Sequence, residues 1–148
     1  MSNYRLIKDY EDFKKFKPLG GIGGPINGSA LKHWEVTIPG PPDTPFEGGR
    51  FKIEIKLDDN YPNSTPQCRF LTKVFHPNIS FNSGSICVKL LKYWTSKNSI
   101  CSIIFALYGL LKDPNQDSPL NGNAHDLYLR DKVRYNQLAK SFTNKFAK

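Results

Sequence analysis

The sequence predicts an α+β fold in which helices cover an antiparallel sheet. Two segments in the first half of the chain alternate apolar and polar residues, which is typical of half-buried strands. Helical patterns follow these strands as a group, and this order favours an antiparallel sheet over alternating strand–helix units. The apolar positions of the two clearest strands are Trp34, Val36 and Ile38, followed by Phe51, Ile53, Ile55 and Leu57.

An amphipathic helix is predicted from Tyr4 to Lys17, because apolar residues recur there at helical spacing. Pro18 ends it, and we interpret the glycine-rich run 20–25 as a loop. This run lacks the residues of a phosphate-binding loop. The apolar residues of the helix, which we expect to face inward, are Leu6, Tyr10, Phe13 and Phe16.

A short further strand is predicted at 67–71, with Cys68 and Phe70 on its inner side. From Val74 to Trp94 no period is maintained, and we expect irregular structure there.

Three helices are predicted in the last third of the chain. The first is capped by Asn98 or Ser99, has a wide apolar stripe and ends before Asp113. A short helix at 124–128 and a longer one at 131–146 follow. Inward-facing residues expected in the longest helix are Tyr135, Leu138, Phe142 and Phe146.

Size and composition exclude several classes of protein. The 148 residues suit one domain, and the three cysteines form neither a zinc-binding pair nor an even disulfide framework. We expect no metal, no membrane association, and a location in the cytoplasm or nucleus. The net charge is +8, but the sequence contains no nucleic-acid-binding motif. An acidic protein partner is therefore favoured over specific nucleic-acid binding.

The stretch 76–88 contains the clearest candidate for chemistry, the thiol of Cys87. His76 and Asn78 precede it, and an amide donor near a thiol suits covalent chemistry with oxyanion stabilisation. On these residues alone, a buried structural cysteine beside a structural histidine is the more common situation.

Several further motifs occur in a fixed order along the chain. They are His33-Trp34 with Ile38-Pro39-Gly40-Pro41, Thr44-Pro45-Phe46-Glu47-Gly48-Gly49, Tyr61-Pro62 with Pro66, His76-Pro77-Asn78, Gly84-Ser85-Ile86-Cys87, Trp94, Asp113-Pro114-Asn115 and Ser118-Pro119-Leu120-Asn121. A single triplet such as His76-Pro77-Asn78 would be weak evidence for any protein family, but the whole set in this order is specific evidence. In these motifs the sequence resembles the ubiquitin-conjugating enzyme family over essentially its whole length.

The resemblance implies a UBC-like fold for residues 1–148 as a single core domain, with a four-stranded antiparallel sheet, an N-terminal helix and C-terminal helices around it. It implies a transferase in which Cys87 accepts ubiquitin, or a ubiquitin-like modifier, as a thioester from an activating enzyme. Transfer to a lysine of a protein substrate follows, usually with a RING or HECT ligase. No cofactor is implied, because only the activating enzyme needs ATP.

Roles for other residues follow from the same resemblance. Asn78 stabilises the oxyanion or supports the neighbouring loop. His76, Pro77 and Trp94 belong to the structural motif rather than to the chemistry.

The surface for the activating enzyme and the ligases is implied at the first helix and two loops. Arg5 and Lys8 are its residues on the helix. Asn63 stands where many members have an apolar residue, and Ser96 with Lys97 replaces the usual Pro-Ala after the tryptophan. This predicts weak binding to promiscuous RING ligases.

The sequence also departs from the family near the nucleophile. Cys87 follows Asn78 by nine positions, one more than in many members, and Trp94 follows Cys87 by seven, one fewer. We therefore expect a locally reshaped loop before Cys87.

The acidic residue that many members place beside the nucleophile is absent from its usual positions. Ser118 and Lys89 occupy them. Asp117, one residue earlier, is the candidate substitute, so Asp117 and Ser118 are predicted to form the gate for the acceptor lysine.

Other functions stay open at this point. The chain could serve another ubiquitin-like modifier, could position ubiquitin without catalysis, or could be an unrelated thiol hydrolase. The presence of Cys87 argues against the non-catalytic module.

Overall fold

Four strands form one antiparallel sheet in the computed structural model, which describes residues 3–20, 22–86 and 89–148. The strands lie side by side in chain order. They are β1 (Ile22–Pro25), β2 (His33–Pro39), β3 (Arg50–Lys56) and β4 (Gln67–Phe70). The helices are α1 (Asn3–Phe16), α2 (Lys89–Lys92), α3 (Ile100–Lys112), α4 (Gly122–Arg130) and α5 (Lys132–Phe146), and a 3₁₀ turn spans Pro18–Gly20.

The predicted strand periodicity is confirmed in β2 and β3. Their alternate apolar side chains are fully buried against the helices, and Trp34 packs edge-on to Tyr10 and Phe13 of α1. The central helix α3 begins at the N-cap Ser99 and presents its apolar stripe to the same core. Val74, Phe75 and Ile79, from the stretch that follows β4, are buried in the same core.

The glycine-rich run predicted as a loop instead contains β1, so that prediction was wrong. Gly23 adopts a φ of 117° and pairs with Val36 of β2. A Cβ at Gly23 would lie 2.2 Å from the carbonyl oxygen of Glu35, so only glycine allows this approach of the two backbones. A strand of this composition has no side-chain alternation by which it could be recognised.

Three further expectations differ from the structure. Phe16 and Phe146 were expected to face inward, but they are 63% and 38% exposed. Glu54, one of the polar residues that alternate with the apolar positions 51–57 and are expected to face solvent, is instead buried, and Arg69 and His33 bind its carboxylate at 2.7 Å and 2.9 Å. The short helix α2 lies in the stretch expected to be irregular.

The helices of the described residues include none with both the length and the apolar character needed to cross a bilayer.

Candidate active site

His76 is buried at the centre of the site, and both of its ring nitrogens are occupied. Nδ1 accepts a hydrogen bond from the backbone N–H of Asn78 at 2.9 Å, and Nε2 lies 2.7 Å from the carbonyl oxygen of Leu110. Burial lowers the pKa of His76 to about 4, although the Leu110 carbonyl favours the protonated ring. The ring is therefore neutral at physiological pH, with its proton on Nε2. It joins the 76–78 turn to the end of α3.

Asn78 is also fully buried, and both the nitrogen and the oxygen of its side-chain amide form hydrogen bonds. Nδ2 donates to the carbonyl oxygen and to Oδ1 of Asn115 at 3.0 Å and 3.1 Å, and lies 3.3 Å from the carbonyl oxygen of Asp117. Oδ1 accepts from the backbone N–H of Asn115 at 3.0 Å. An amide has only two N–H groups, so donation to a new oxyanion would require one of these bonds to break.

The loop 113–121 is fixed onto the 76–78 turn by backbone bonds as well. The N–H groups of Leu120 and Asn121 both donate to the carbonyl oxygen of Pro77, at 2.8 Å and 3.1 Å. Asp117 and Ser118 of this loop have exposed side chains, and Ser118 has a left-handed φ of 51°. The side chains of the two predicted gate residues thus face solvent, while the backbone carbonyl of Asp117 faces the Asn78 amide.

The predicted nucleophile, Cys87, lies outside the described residues, but the segment leading to it is described. Ile86 forms a β-bridge with Ile79, and Ser85 forms one with Arg69 of β4. These bridges bring the residue before Cys87 beside the residue after Asn78. The stretch 79–86 is therefore closed by a bridge between its first and last residues.

Gly84 is required for this closure. It has a φ of 76°, and its carbonyl oxygen accepts the backbone N–H of Phe70 at 2.9 Å. A Cβ at this position would lie 1.9 Å from the carbonyl oxygen of Phe70. Any other residue would therefore push the loop away from the end of β4.

The other two thiols are poor nucleophiles. Burial raises the pKa of Cys68 to about 12, so its thiolate is scarce at neutral pH. Burial also raises the pKa of Cys101, and the carboxylates of Asp12 and Asp9 add to the effect. Both thiols lie in regular structure, in β4 and in the first turn of α3.

A second network links α1 to the two loops predicted to face ligases. Arg5 donates from Nη1 to the carbonyl oxygen of Ser96 at 2.6 Å, from Nη2 to the carbonyl oxygen of Asn98, and from Nε to Asp9 at 3.0 Å. The buried carboxylate of Asp9 also accepts the hydroxyl of Tyr61. Burial and this bond raise the pKa of Tyr61. Arg5 thus connects α1 to the 96–98 loop within the molecule, in addition to any contact it makes with a partner protein.

Trp94 joins the same network. Its indole N–H donates to the carbonyl oxygen of Pro62 at 2.7 Å, and its ring lies 5.9 Å from that of Tyr61. Around this frame, the side chains of Asn63, Ser96 and Lys97 are exposed.

Lys8 is exposed on α1 and forms an ion pair with Asp12 at 3.3 Å. Among the described residues, no hydrogen bond connects Lys8 or the Arg5 network to Asn78.

One cluster in the described part of the chain has the donor set of a metal site. The ligand atoms of His33, Glu35 and Glu54 lie within 4.8 Å of one another on the outer face of the sheet. The carboxylate of Glu54 is already bound by Arg69, and Lys52 lies 4.0 Å from Glu35. These cations neutralise the cluster, so its residues form an ion-pair network on the sheet.

Comparison with known proteins identifies the family to which this chain and its fold belong. Residues 5–143 match the family model of the ubiquitin-conjugating enzymes. Among solved structures, the chain is similar to the E2 domain of a ubiquitin conjugating enzyme from Toxoplasma gondii, with 30% sequence identity and a TM-score of 0.90. That match covers 99% of this chain and 100% of the other.

The chain therefore belongs to the ubiquitin-conjugating enzyme family, and the expected UBC-like α+β fold is confirmed. The sequence motifs identified His76 and Asn78, but not their partners. Asn115 and the Leu110 carbonyl lie 37 and 34 positions from the residues they bind, and nothing in the local sequence marks such pairs.

Proposed function

We propose that this protein is an active conjugating enzyme that accepts ubiquitin as a thioester on Cys87 and transfers it to lysine. The observation that carries the proposal is the β-bridge between Ile79 and Ile86. It pairs Ile86, the residue before Cys87, with Ile79, the residue after Asn78. The rigid frame around that turn suits a site in which one atom must be held for attack.

Each of the two steps exchanges one acyl bond for another. The Cys87 thiolate attacks the thioester carbonyl of the modifier on the activating enzyme, and the activating enzyme's thiolate leaves. The lysine amine then attacks the Cys87 thioester, the Cys87 thiolate leaves, and the amine loses a proton to solvent or to a neighbouring base. Because a thioester is already a good electrophile, Cys87 needs only ordinary thiol reactivity.

Asn78 acts in this scheme as a support for the loop 113–121. Its amide hydrogen bonds to Asn115 and Asp117 favour this role over oxyanion binding. Asp117 and Ser118 then form the gate on that loop, and the exposed Asp117 carboxylate is the candidate to orient the incoming lysine.

The partners proposed are an activating enzyme, a RING or HECT ligase and a protein substrate. Exposed Lys8 on α1 offers a cation to the activating enzyme, while Asn63, Ser96 and Lys97 present a polar face to ligases. The single core domain would work in the cytoplasm or nucleus, where reducing conditions keep Cys87 as a thiol.

A charging assay with purified activating enzymes and a panel of modifiers tests the modifier assignment. We expect ATP-dependent, reductant-sensitive charging with ubiquitin and its own activating enzyme. Charging with a different modifier alone would assign the protein to that modifier. No charging with any member of the panel would contradict the enzymatic proposal and favour a ubiquitin-positioning module.

A further inference from the structure

Phe81 lies at the tip of the loop that leads to Cys87 and contacts a helix that is distant in sequence. Its half-buried ring lies 5.1 Å from the ring of Phe142 and 6.2 Å from that of Phe146, both on α5. The ammonium of Lys73 lies 4.9 Å from the centre of the Phe81 ring and 3.4 Å from its carbonyl oxygen. The tip of the loop is therefore held by aromatic and cation–π contacts.

The base of the loop is held by backbone hydrogen bonds. The N–H of Ser80 donates to the carbonyl oxygen of Ser85, and the N–H of Gly84 donates to that of Ser80, both at 2.9 Å. Ile86 then pairs with Ile79. Residues 80–86 are thus one closed unit, with its base on β4 and its tip on α5.

The contact compensates for the extra length of this loop. Nine positions separate Asn78 from Cys87, and a longer loop has more conformations unless its tip is bound. Phe142 itself stacks on Phe75, which is buried in the core, so the anchor is rigid.

We propose that Phe81 is a positioning residue for the transfer reaction, and this inference rests on the proposed function of Cys87. Phe81 acts through the loop, which ends at Ile86, and holds the backbone entering Cys87 in the position needed for attack. It does not act on the reacting atoms. Misplacement of a reacting group by about 1 Å can cost up to 10²-fold in rate, so a partial loss of the anchor should be measurable.

The test compares Phe81→Ala with Phe81→Tyr, which keeps the ring, and with Val133→Ala, which shortens an exposed side chain on the same helix. We expect Phe81→Ala to discharge its thioester to lysine roughly tenfold more slowly in single turnover, with an unchanged KM for the activating enzyme. The Ser80 and Gly84 amides should exchange hydrogen faster in Phe81→Ala. Phe81→Tyr and Val133→Ala should match the parent in both measurements.

Two results would overturn the inference. One is faster amide exchange in Phe81→Ala with a parent-like discharge rate, which would leave the proposed function intact. The other is a discharge defect that Phe81→Tyr does not restore.

The rate at which iodoacetamide alkylates Cys87, resolved by mass spectrometry, separates this inference from the proposed function. It needs no modifier, so it also reports on the loop if the parent fails to charge. A rate changed by Phe81→Ala but not by Phe81→Tyr supports the anchor, and an unchanged rate contradicts it.

If Phe81→Ala does not fold, Phe142→Leu removes the aromatic partner and retains apolar volume. It should slow discharge in the same direction. A parent-like rate in folded Phe142→Leu would contradict the role of the anchor.

Discussion

The side-chain amide of Asn78 forms a reciprocal pair of hydrogen bonds with the backbone of Asn115: Nδ2 donates to its carbonyl oxygen and Oδ1 accepts its N–H, both at 3.0 Å. This pairing resembles the hydrogen bonds between two β-strands, and it holds the loop 113–121 against the turn that carries His76. It gives Asn78 a structural role that sequence position alone does not reveal.

Asn78→Ala should therefore slow lysine discharge by roughly 10²-fold, through loss of loop position, while charging stays near normal. It should also lower the free energy of unfolding by about 1 to 3 kcal/mol, because the Asn115 backbone loses its partners. Denaturant unfolding and single-turnover discharge measure the two effects.

Asn115→Ala distinguishes the support role from oxyanion stabilisation. It removes the side-chain amide, whose Oδ1 accepts from Asn78 Nδ2 and from the N–H of Asp117, and it leaves the backbone bonds of residue 115 to Asn78 in place. Slower discharge is expected if the loop matters, whereas an oxyanion donor freed from Asn115 should work at least as well. Asn123→Ala, at an exposed position in α4, is the matched control.

The buried His76 should make stability fall with acid. Its folded pKa of about 4 lies below the ordinary value of 6.5, so the unfolded chain binds more protons as the pH decreases from 6.5. The contribution of His76 is complete above pH 6.5, and roughly 3 kcal/mol is lost as the pH falls to about 4. Denaturant unfolding between pH 7 and pH 5 measures the slope, which should be smaller in His76→Gln. His125→Gln, half-buried in α4, is the control, and equal slopes in parent and His76→Gln would contradict the assignment.

Arg5→Glu combined with Lys8→Glu should slow charging if α1 receives the activating enzyme. The single variants separate surface charge from bracing. Arg5→Ala should lower the free energy of unfolding by roughly 2 to 4 kcal/mol, because it leaves the buried Asp9 carboxylate without its cation. Lys8→Ala should change it by less than about 0.5 kcal/mol, since its ion pair with Asp12 is exposed. Unchanged charging by folded Lys8→Glu would remove Lys8 from the interface.

The polar face near Trp94 should restrict ligase binding. Buried apolar side chains supply much of the binding energy at such interfaces. Asn63 and Ser96 are polar and offer the ligase no apolar anchor. Asn63→Phe with Ser96→Pro should raise stimulation of discharge by a panel of RING ligases. The carbonyl that Arg5 binds at position 96 is retained in proline. Strong stimulation of the parent by many ligases would show that the face does not restrict partners.

The fold was largely predictable because its main elements carry side-chain periods. β2, β3 and α3 bury regular sets of apolar residues, and these sets were visible in the sequence. β1 was not predictable from pattern, because Gly23 and Gly24 have no side chains to alternate. The four residues of α2 are too few to define a helical period.

The site was predictable as motifs but not as a network. His76 and Asn78 are neighbours in sequence, and their short-range bond follows from that closeness. Arg5 and Ser96 are 91 positions apart, and an arginine in a helical sequence gives no sign that two loop carbonyls will bind it. Only tertiary packing defines such contacts.

The central claim is that Cys87 carries the modifier, and intact-mass analysis after charging tests it most directly. We expect the parent to gain one modifier in a form that thiol reductant removes, and Cys87→Ser to gain a reductant-resistant oxyester. Cys68→Ala and Cys101→Ala, which remove the two thiols with raised pKa, should charge like the parent. Cys87→Ala should gain nothing, and a reductant-sensitive adduct on Cys87→Ala would contradict the claim.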